Sequence, residues 1–303
     1  MRCGDGPAVT GKYLRTVDPT TTTTCFRHPD RVAGVRCQRC ERPICPQCMV
    51  QASVGFQCPE CAHSGSQQVI SSRQVWAPSS QDVIVGKVLI GLNVAAFLLA
   101  SLAGGSLART SGPIFERFVT WGPLVADGEW WRLVTGAFLH GGVLHLMMNM
   151  FLLWLLAKEL EPALGHVGFA LVFAVSVVGG ALGVMLLSPN DPTLGASGGV
   201  FGLMGALIVL QLRARQNPWN SGIGGLVVVN LILTFTIPGI SIGGHVGGLL
   251  AGAAAGAVVQ PKAWPQTTAG IRNGFLVLMS LGLVVAAVLV AGALATDLSS
   301  IGG

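Results

Sequence analysis

Residues 143–160 read Val-Leu-His-Leu-Met-Met-Asn-Met-Phe-Leu-Leu-Trp-Leu-Leu-Ala-Lys-Glu-Leu, an apolar run interrupted by His145 and Asn149 and closed by Lys158. A hydrocarbon core of roughly 30 Å takes about 20 apolar residues in an α-helix, so this run predicts a membrane span. His145 and Asn149 are four residues apart and share one helix face, where both side chains can donate to a single point. Polar groups at that depth are costly, and they mark either a helix–helix contact or a functional site.

Comparable runs occupy 83–103, 165–187, 197–212, 222–240, 243–259 and 273–295, and those at 197–212 and 243–259 are short and rich in glycine. The chain of 303 residues is 51% hydrophobic and only 10% charged, with mean hydropathy +0.64. That balance excludes an ordinary soluble domain. The expected fold is all-α: a polytopic membrane helical bundle of six core helices plus a seventh at the C-terminal end, with a small cytoplasmic zinc-finger domain in front.

Residues 1–82 differ in kind, holding nine Lys and Arg, six Asp and Glu, and all eight cysteines. The first long apolar stretch begins about eighty residues in and lacks a small-residue cleavage site, so no signal peptide is expected and the N-terminal region should stay in the cytoplasm. With that orientation Lys158, Arg213, Arg215, Lys262 and Arg272 fall in cytoplasmic connections, in keeping with the positive-inside rule. The 104–142 connection lies outside and carries Arg109, Arg117 and Arg132 against Glu116, Asp127 and Glu129. Its Trp121, Trp130 and Trp131 suit a segment lying on or dipping into the outer leaflet.

Ser197 lies in Gly195-Ala196-Ser197-Gly198-Gly199, directly before an apolar helix, where free backbone N–H groups and the helix dipole favour negative charge. His245 opens a span in Gly243-Gly244-His245-Val246-Gly247-Gly248. Gly248, Gly252 and Gly256 follow on its face, and Gly198, Gly202 and Gly205 form a small side on the span after Ser197. Two such faces let helix backbones approach closely, which would bring Ser197 and His245 within hydrogen-bond reach. A serine hydroxyl needs a base, and neutral His is the usual one near pH 7. No acidic residue lies in the spans concerned, so the arrangement is a dyad whose His is oriented by packing. Ser197 N–H, His145 and Asn149 would hold the oxyanion, each such donor being worth about 3 kcal/mol. His140 is expected to be a local structural hydrogen bonder.

Trp131-Arg132, His140, His145-x-x-x-Asn149, Gly195-Ala196-Ser197-Gly198 and Gly244-His245-Val246-Gly247-Gly248, in this order and in successive segments, resemble the rhomboid intramembrane serine proteases. The resemblance covers about residues 83 to 260, and 273–295 is similar to the seventh helix of some members. It implies Ser197 as nucleophile, His245 as base, His145 and Asn149 as oxyanion donors, and transmembrane proteins as substrates in a plasma-membrane bilayer. No cofactor is implied for catalysis. Gly199 is additional to the family motif and is expected to loosen the helix start slightly. A non-catalytic membrane adaptor is the alternative from another class, and a transporter a third.

Cys25-x-x-His28, Cys37-x-x-Cys40, Cys45-x-x-Cys48 and Cys58-x-x-Cys61 offer eight ligands, enough for two tetrahedral structural Zn²⁺ sites. Cross-braced pairing, Cys25 and His28 with Cys45 and Cys48 and Cys37 and Cys40 with Cys58 and Cys61, fits the spacing, as does sequential pairing. His63 is a possible substitute ligand and Cys3 is left over. By spacing, the block resembles a B-box-like zinc finger. Its five Arg and three acidic residues become roughly −1 once two zinc–thiolate sites form, a poor footprint for nucleic acid and a better one for a protein partner. The predicted organisation is a disordered 1–24, a zinc-binding 25–63, a linker 64–82, the core 83–260 and a seventh helix with tail over 261–303.

Overall fold

The computed structural model describes residues 23–52, 55–64, 82–108, 111–259 and 268–301, and the chain separates into two units, Met1–Val75 and Trp76–Gly303. Most of the predicted N-terminal tail, the linker and Cys3 lie outside the described residues.

The first unit is built from two minimal hairpins. Strands β1 (Val35–Arg36) and β2 (Pro43–Ile44) pair antiparallel with Val35 opposite Ile44, and β3 (Val50–Gln51) pairs with β4 (Phe56–Gln57). A short helix α1 (Pro59–Ser64) follows. Thr24 bridges Val32 and Thr23 accepts the Ala33 N–H, so backbone pairing is already present two residues before Cys25. The buried residues here are Cys25, Ala33, Cys37, Ile44, Cys45, Cys48, Cys58 and Cys61. An interior of thiols around one isoleucine buries too little apolar surface to order a chain of this size, so its stability must come from elsewhere.

The second unit is helical. Long apolar helices α2 (Ile84–Leu102), α6 (Val143–Leu187), α9 (Ile242–Val259) and α10 (Ala269–Ile301) are long enough to cross a membrane, and the apolar α7 (Ser197–Arg213) and α8 (Ile223–Thr236) are shorter. Between α2 and α6 come the short α3 (Pro113–Phe118), α4 (Gly122–Ala126) and α5 (Arg132–Thr135). The 45-residue α6 is two spans joined at a kink: Gly165 has φ 74° and ψ 164°, a conformation suited to glycine, and Pro162 removes a backbone donor just before it. Its first limb exposes Leu144, Met147 and Phe151 and buries Leu146, Asn149, Met150 and Leu153, so one face suits lipid and the other the bundle.

Glycine decides how the bundle packs. A Cβ at Gly248 would run into the Gly198 backbone, one at Gly252 into Gly202, and one at Gly256 would approach Ala206, so α7 and α9 meet backbone to backbone through the two glycine faces. A third helix joins this contact. Side chains at Gly179 and Gly183 would strike Ala251 and Gly243, and one at Gly202 would strike Ser176, so the second limb of α6 enters the same contact. At the start of α7, which begins at Ser197 itself, Gly199 makes room for the Phe173 ring, with which a Cβ would collide.

One buried charge fastens α2. The carboxylate of Glu161, 1% exposed, accepts the N–H groups of Ile84 (2.9 Å), Val85 (2.7 Å) and Gly86 (2.9 Å), which are orphan donors of that helix's first turn. A carboxylate from α6 thus caps another helix in trans, and Gly86 lets Ala157 close against it.

Candidate active site

Ser197 begins α7 and His245 lies in the first turn of α9, so both sit at N-terminal ends of helices that touch through Gly198, Gly244 and Gly248. Phe201, one turn after Ser197, stacks on the His245 imidazole with centroids 4.1 Å apart and planes 19° from parallel. The aromatic ring that packs on His245 is therefore on the helix that Ser197 begins. His245 Nδ1 lies 2.7 Å from Thr234 Oγ1 on α8, a second contact the sequence did not disclose.

His145 reaches the site from the first turn of α6. Gly195 has φ +118°, and a Cβ there would lie 2.8 Å from His145 Nε2 and 3.7 Å from Ser197 Oγ, so glycine leaves room for the ring beside the serine. The Gly141 N–H donates to His145 Nδ1 (3.3 Å). A backbone amide can only donate, so Nδ1 carries the lone pair and Nε2 the proton, leaving a donor on the side of Ser197. Asn149 is buried below it and gives one amide hydrogen to the His145 carbonyl (3.0 Å), retaining the other.

His140, in the loop before α6, is fully buried and packs edge-on to His145 at 5.0 Å. Burial pushes its imidazole down to about 3, His145 adds to the effect and a backbone contact at Phe138 opposes it, so the ring is neutral near pH 7.

The segment between α2 and α6 is tied to the loop that delivers Ser197. Thr120 and Thr193 exchange backbone hydrogen bonds (3.1 and 2.8 Å), the Gly195 N–H donates to the Gly136 carbonyl (3.0 Å), and Trp121 Nε1 donates to the Asn190 carbonyl (3.0 Å). Arg132 anchors that connection: 2% exposed, it bonds Glu129 (2.6 Å) and the carbonyls of Glu116 (2.8 Å) and Val119 (3.0 Å). A cleft lined by Thr120, Gly136, Leu194, Ser197, Ser241 and Gly244 opens between these segments.

In the N-terminal unit the ligand pairs are cross-braced, with Cys25, His28, Cys45 and Cys48 in one cluster and Cys37, Cys40, Cys58 and Cys61 in the other. His28 Nδ1 stands 3.9, 3.5 and 3.4 Å from the sulfurs of Cys25, Cys45 and Cys48, and the Cys40 and Cys58 sulfurs are 3.7 Å apart. Tetrahedral ligands at about 2.3 Å (S) and 2.0 Å (N) from one ion stand roughly 3.5–3.8 Å from one another, so both clusters have the size of a metal site. The sequential arrangement is excluded by this geometry.

A helical membrane bundle with a serine and histidines gathered at helix N-termini defines the class. Residues 127–262 match the rhomboid domain model. Residues 127–262 are thus similar to a rhomboid domain, and the Cys/His cluster of the N-terminal unit fits a B-box-like module. The chain is 34% identical over 184 residues to rhomboid protease GluP of Bacillus subtilis (strain 168), covering 58% of this chain and 35% of that protein. It is 32% identical over 135 residues to RHOMBOID-like protein 6, mitochondrial, of Arabidopsis thaliana, covering 43% of each. It is also 29% identical over 140 residues to Inactive RHOMBOID-like protein 8 of the same plant, covering 46% of this chain and 40% of that protein. In these three cases the match spans less than half of the relative's length.

Proposed function

We propose that the chain is a serine endopeptidase that hydrolyses peptide bonds in or near the transmembrane segments of other membrane proteins, using Ser197 and His245. The observation that carries this is the convergence at one end of the bundle: Phe201 stacks on His245 one turn beyond Ser197, while the protonated Nε2 of His145 faces the turn that holds the serine.

In this reading His245 Nε2 takes the Ser197 proton as Oγ bonds to the scissile carbonyl carbon. The resulting oxyanion accepts hydrogen bonds from the Ser197 N–H, His145 Nε2–H and the remaining Asn149 amide hydrogen. The proton then passes from His245 to the leaving nitrogen as the C–N bond breaks. Water entering from the outer face, activated by the same imidazole, hydrolyses the acyl-enzyme and restores Ser197. The site opens to the outer side of the plasma membrane, with the Cys/His module in the cytoplasm, where it holds two structural Zn²⁺ ions and serves a protein partner, not nucleic acid.

Likeness to a relative named inactive favours a second reading, a rhomboid-like adaptor that recruits partners through its zinc module without cutting. Purified protein incubated with a transmembrane-segment reporter and a fluorophosphonate probe separates the two. Cleavage and labelling that vanish in Ser197→Ala, with cleavage lost in His245→Ala, are expected. Cleavage persisting in either variant rejects the dyad, and absence of both cleavage and labelling in the wild type selects the adaptor.

A further inference from the structure

Thr234 is the buried residue in the otherwise exposed last turn of α8. It is 2% accessible, whereas its neighbours Leu233 and Phe235 on α8 are 38% and 62% exposed. Its hydroxyl has two partners: Oγ1 lies 2.7 Å from the Asn230 carbonyl oxygen one turn back and 2.7 Å from His245 Nδ1. Threonine bonding to the carbonyl four residues earlier is ordinary helix chemistry. The second contact adds a constraint.

A hydroxyl has one hydrogen and two lone pairs, and a carbonyl oxygen can only accept. The Thr234 hydrogen is therefore committed to Asn230, which leaves Oγ1 an acceptor toward the imidazole. Nδ1 of His245 must then carry the ring proton, and Nε2 must carry the lone pair. Residues 197–259 contain no Asp or Glu, so no carboxylate from these helices is available to impose that choice.

We infer that Thr234 is a positioning residue that sets the tautomer of His245, a neutral hydroxyl on α8 doing what a carboxylate does in a triad. This rests on His245 being the base of the proposed protease. The two histidines at the site then hold opposite tautomers by the same logic. The Gly141 amide gives His145 a protonated Nε2, and the Thr234 hydroxyl gives His245 an unprotonated one. When His245 takes the Ser197 proton on Nε2 it becomes an imidazolium whose Nδ1–H still donates to Oγ1, and passing the Nε2 proton to the leaving nitrogen returns it to its starting tautomer. A neutral acceptor stabilises that cation less than a carboxylate would, so its main contribution is orientation.

The test is ¹⁵N spectroscopy of histidine-labelled full-length protein in detergent, with the His245 signals identified by their loss in His245→Ala. Wild type should show Nδ1 protonated and Nε2 unprotonated, Thr234→Val should move population to the opposite tautomer, and Thr234→Ser should restore the wild-type pattern. In reporter cleavage, Thr234→Val should lower kcat roughly tenfold at nearly unchanged KM, the equivalent of one hydrogen bond of about 1.4 kcal/mol, and Thr234→Ser should recover most of it. Should the valine variant not fold, Thr234→Ala is read the same way. A wild-type His245 protonated at Nε2, or a tautomer and kcat indifferent to loss of the hydroxyl, overturns the inference. The tautomer is measured equally well in Ser197→Ala, so a tautomer that follows Thr234 in a chain that does not cut would uphold the positioning while rejecting the protease.

Discussion

The two units of this chain are held together by opposite means. In the Cys/His module the side chains are everything: its hairpins are two residues long, its interior is sulfur around Ile44, and eight ligand atoms converge in two clusters. In the membrane bundle the decisive feature is the lack of side chains, because glycines at 179, 183, 198, 202, 248 and 252 let three helices meet at backbone distance. Without water to drive burial, close van der Waals contact over a small-residue face does the work that an apolar core does elsewhere. A ligand-built fold should therefore respond to chelation and a backbone-packed one to added volume.

The largest expected effect is on the bundle. Gly252→Leu places a branched side chain against the Gly202 backbone, which cannot swing aside, so the membrane domain should fail to assemble and lose all reporter cleavage while metal content is retained. Elemental analysis beside an activity assay checks it, and cleavage surviving Gly252→Leu would contradict the close contact. Next is the converse: a strong chelator, or Cys37→Ser with Cys40→Ser, should abolish protection of amides in 23–64 from hydrogen exchange while leaving the bundle's exchange unchanged. Joint loss of protection would join what is separated here.

Glu161→Ala leaves the Ile84, Val85 and Gly86 N–H groups without their carboxylate and should cost about 3 kcal/mol, read as a lower unfolding midpoint in detergent with faster exchange confined to the start of α2. The most gradual is a pH effect. The unfolded chain protonates His140 near pH ~6.5, whereas the folded chain resists until about 3. Between those values the unfolded state binds more protons, so stability is lost as pH falls from the upper value toward the lower. His140→Leu should make the thermal midpoint fall less steeply between pH 7 and pH 4 than it does in the wild type.

Much of this was legible beforehand because membrane and metal chemistry leave few options. Apolar runs of spanning length became helices within a few residues of their expected bounds, except that 222–240 shortened to Ile223–Thr236 and the last helix extended to Ala269–Ile301. The glycine faces around Gly198 and Gly248 followed from helical spacing alone, while their register came from the tertiary contact. Phe201, Thr234 and Glu161 did not stand out, since a lone Phe or Thr in an apolar helix has no periodic signature and a Glu near a span end reads as an interfacial charge. Their roles depend on which helix comes to face them.

Composition and spacing by themselves determined that this chain is a membrane bundle with a ligand-built module, and that Ser197, His245, His145 and Asn149 are its polar residues of interest. Only the tertiary structure decided how the Cys/His pairs combine, that the second limb of α6 joins the glycine contact, and which partner meets Nδ1 of each histidine. The physical reason is the range of the interactions. Helix formation and lipid burial are read along one segment, whereas a tautomer is set by one hydrogen-bond partner, here the Thr234 oxygen on α8 as acceptor and the Gly141 amide beside α6 as donor.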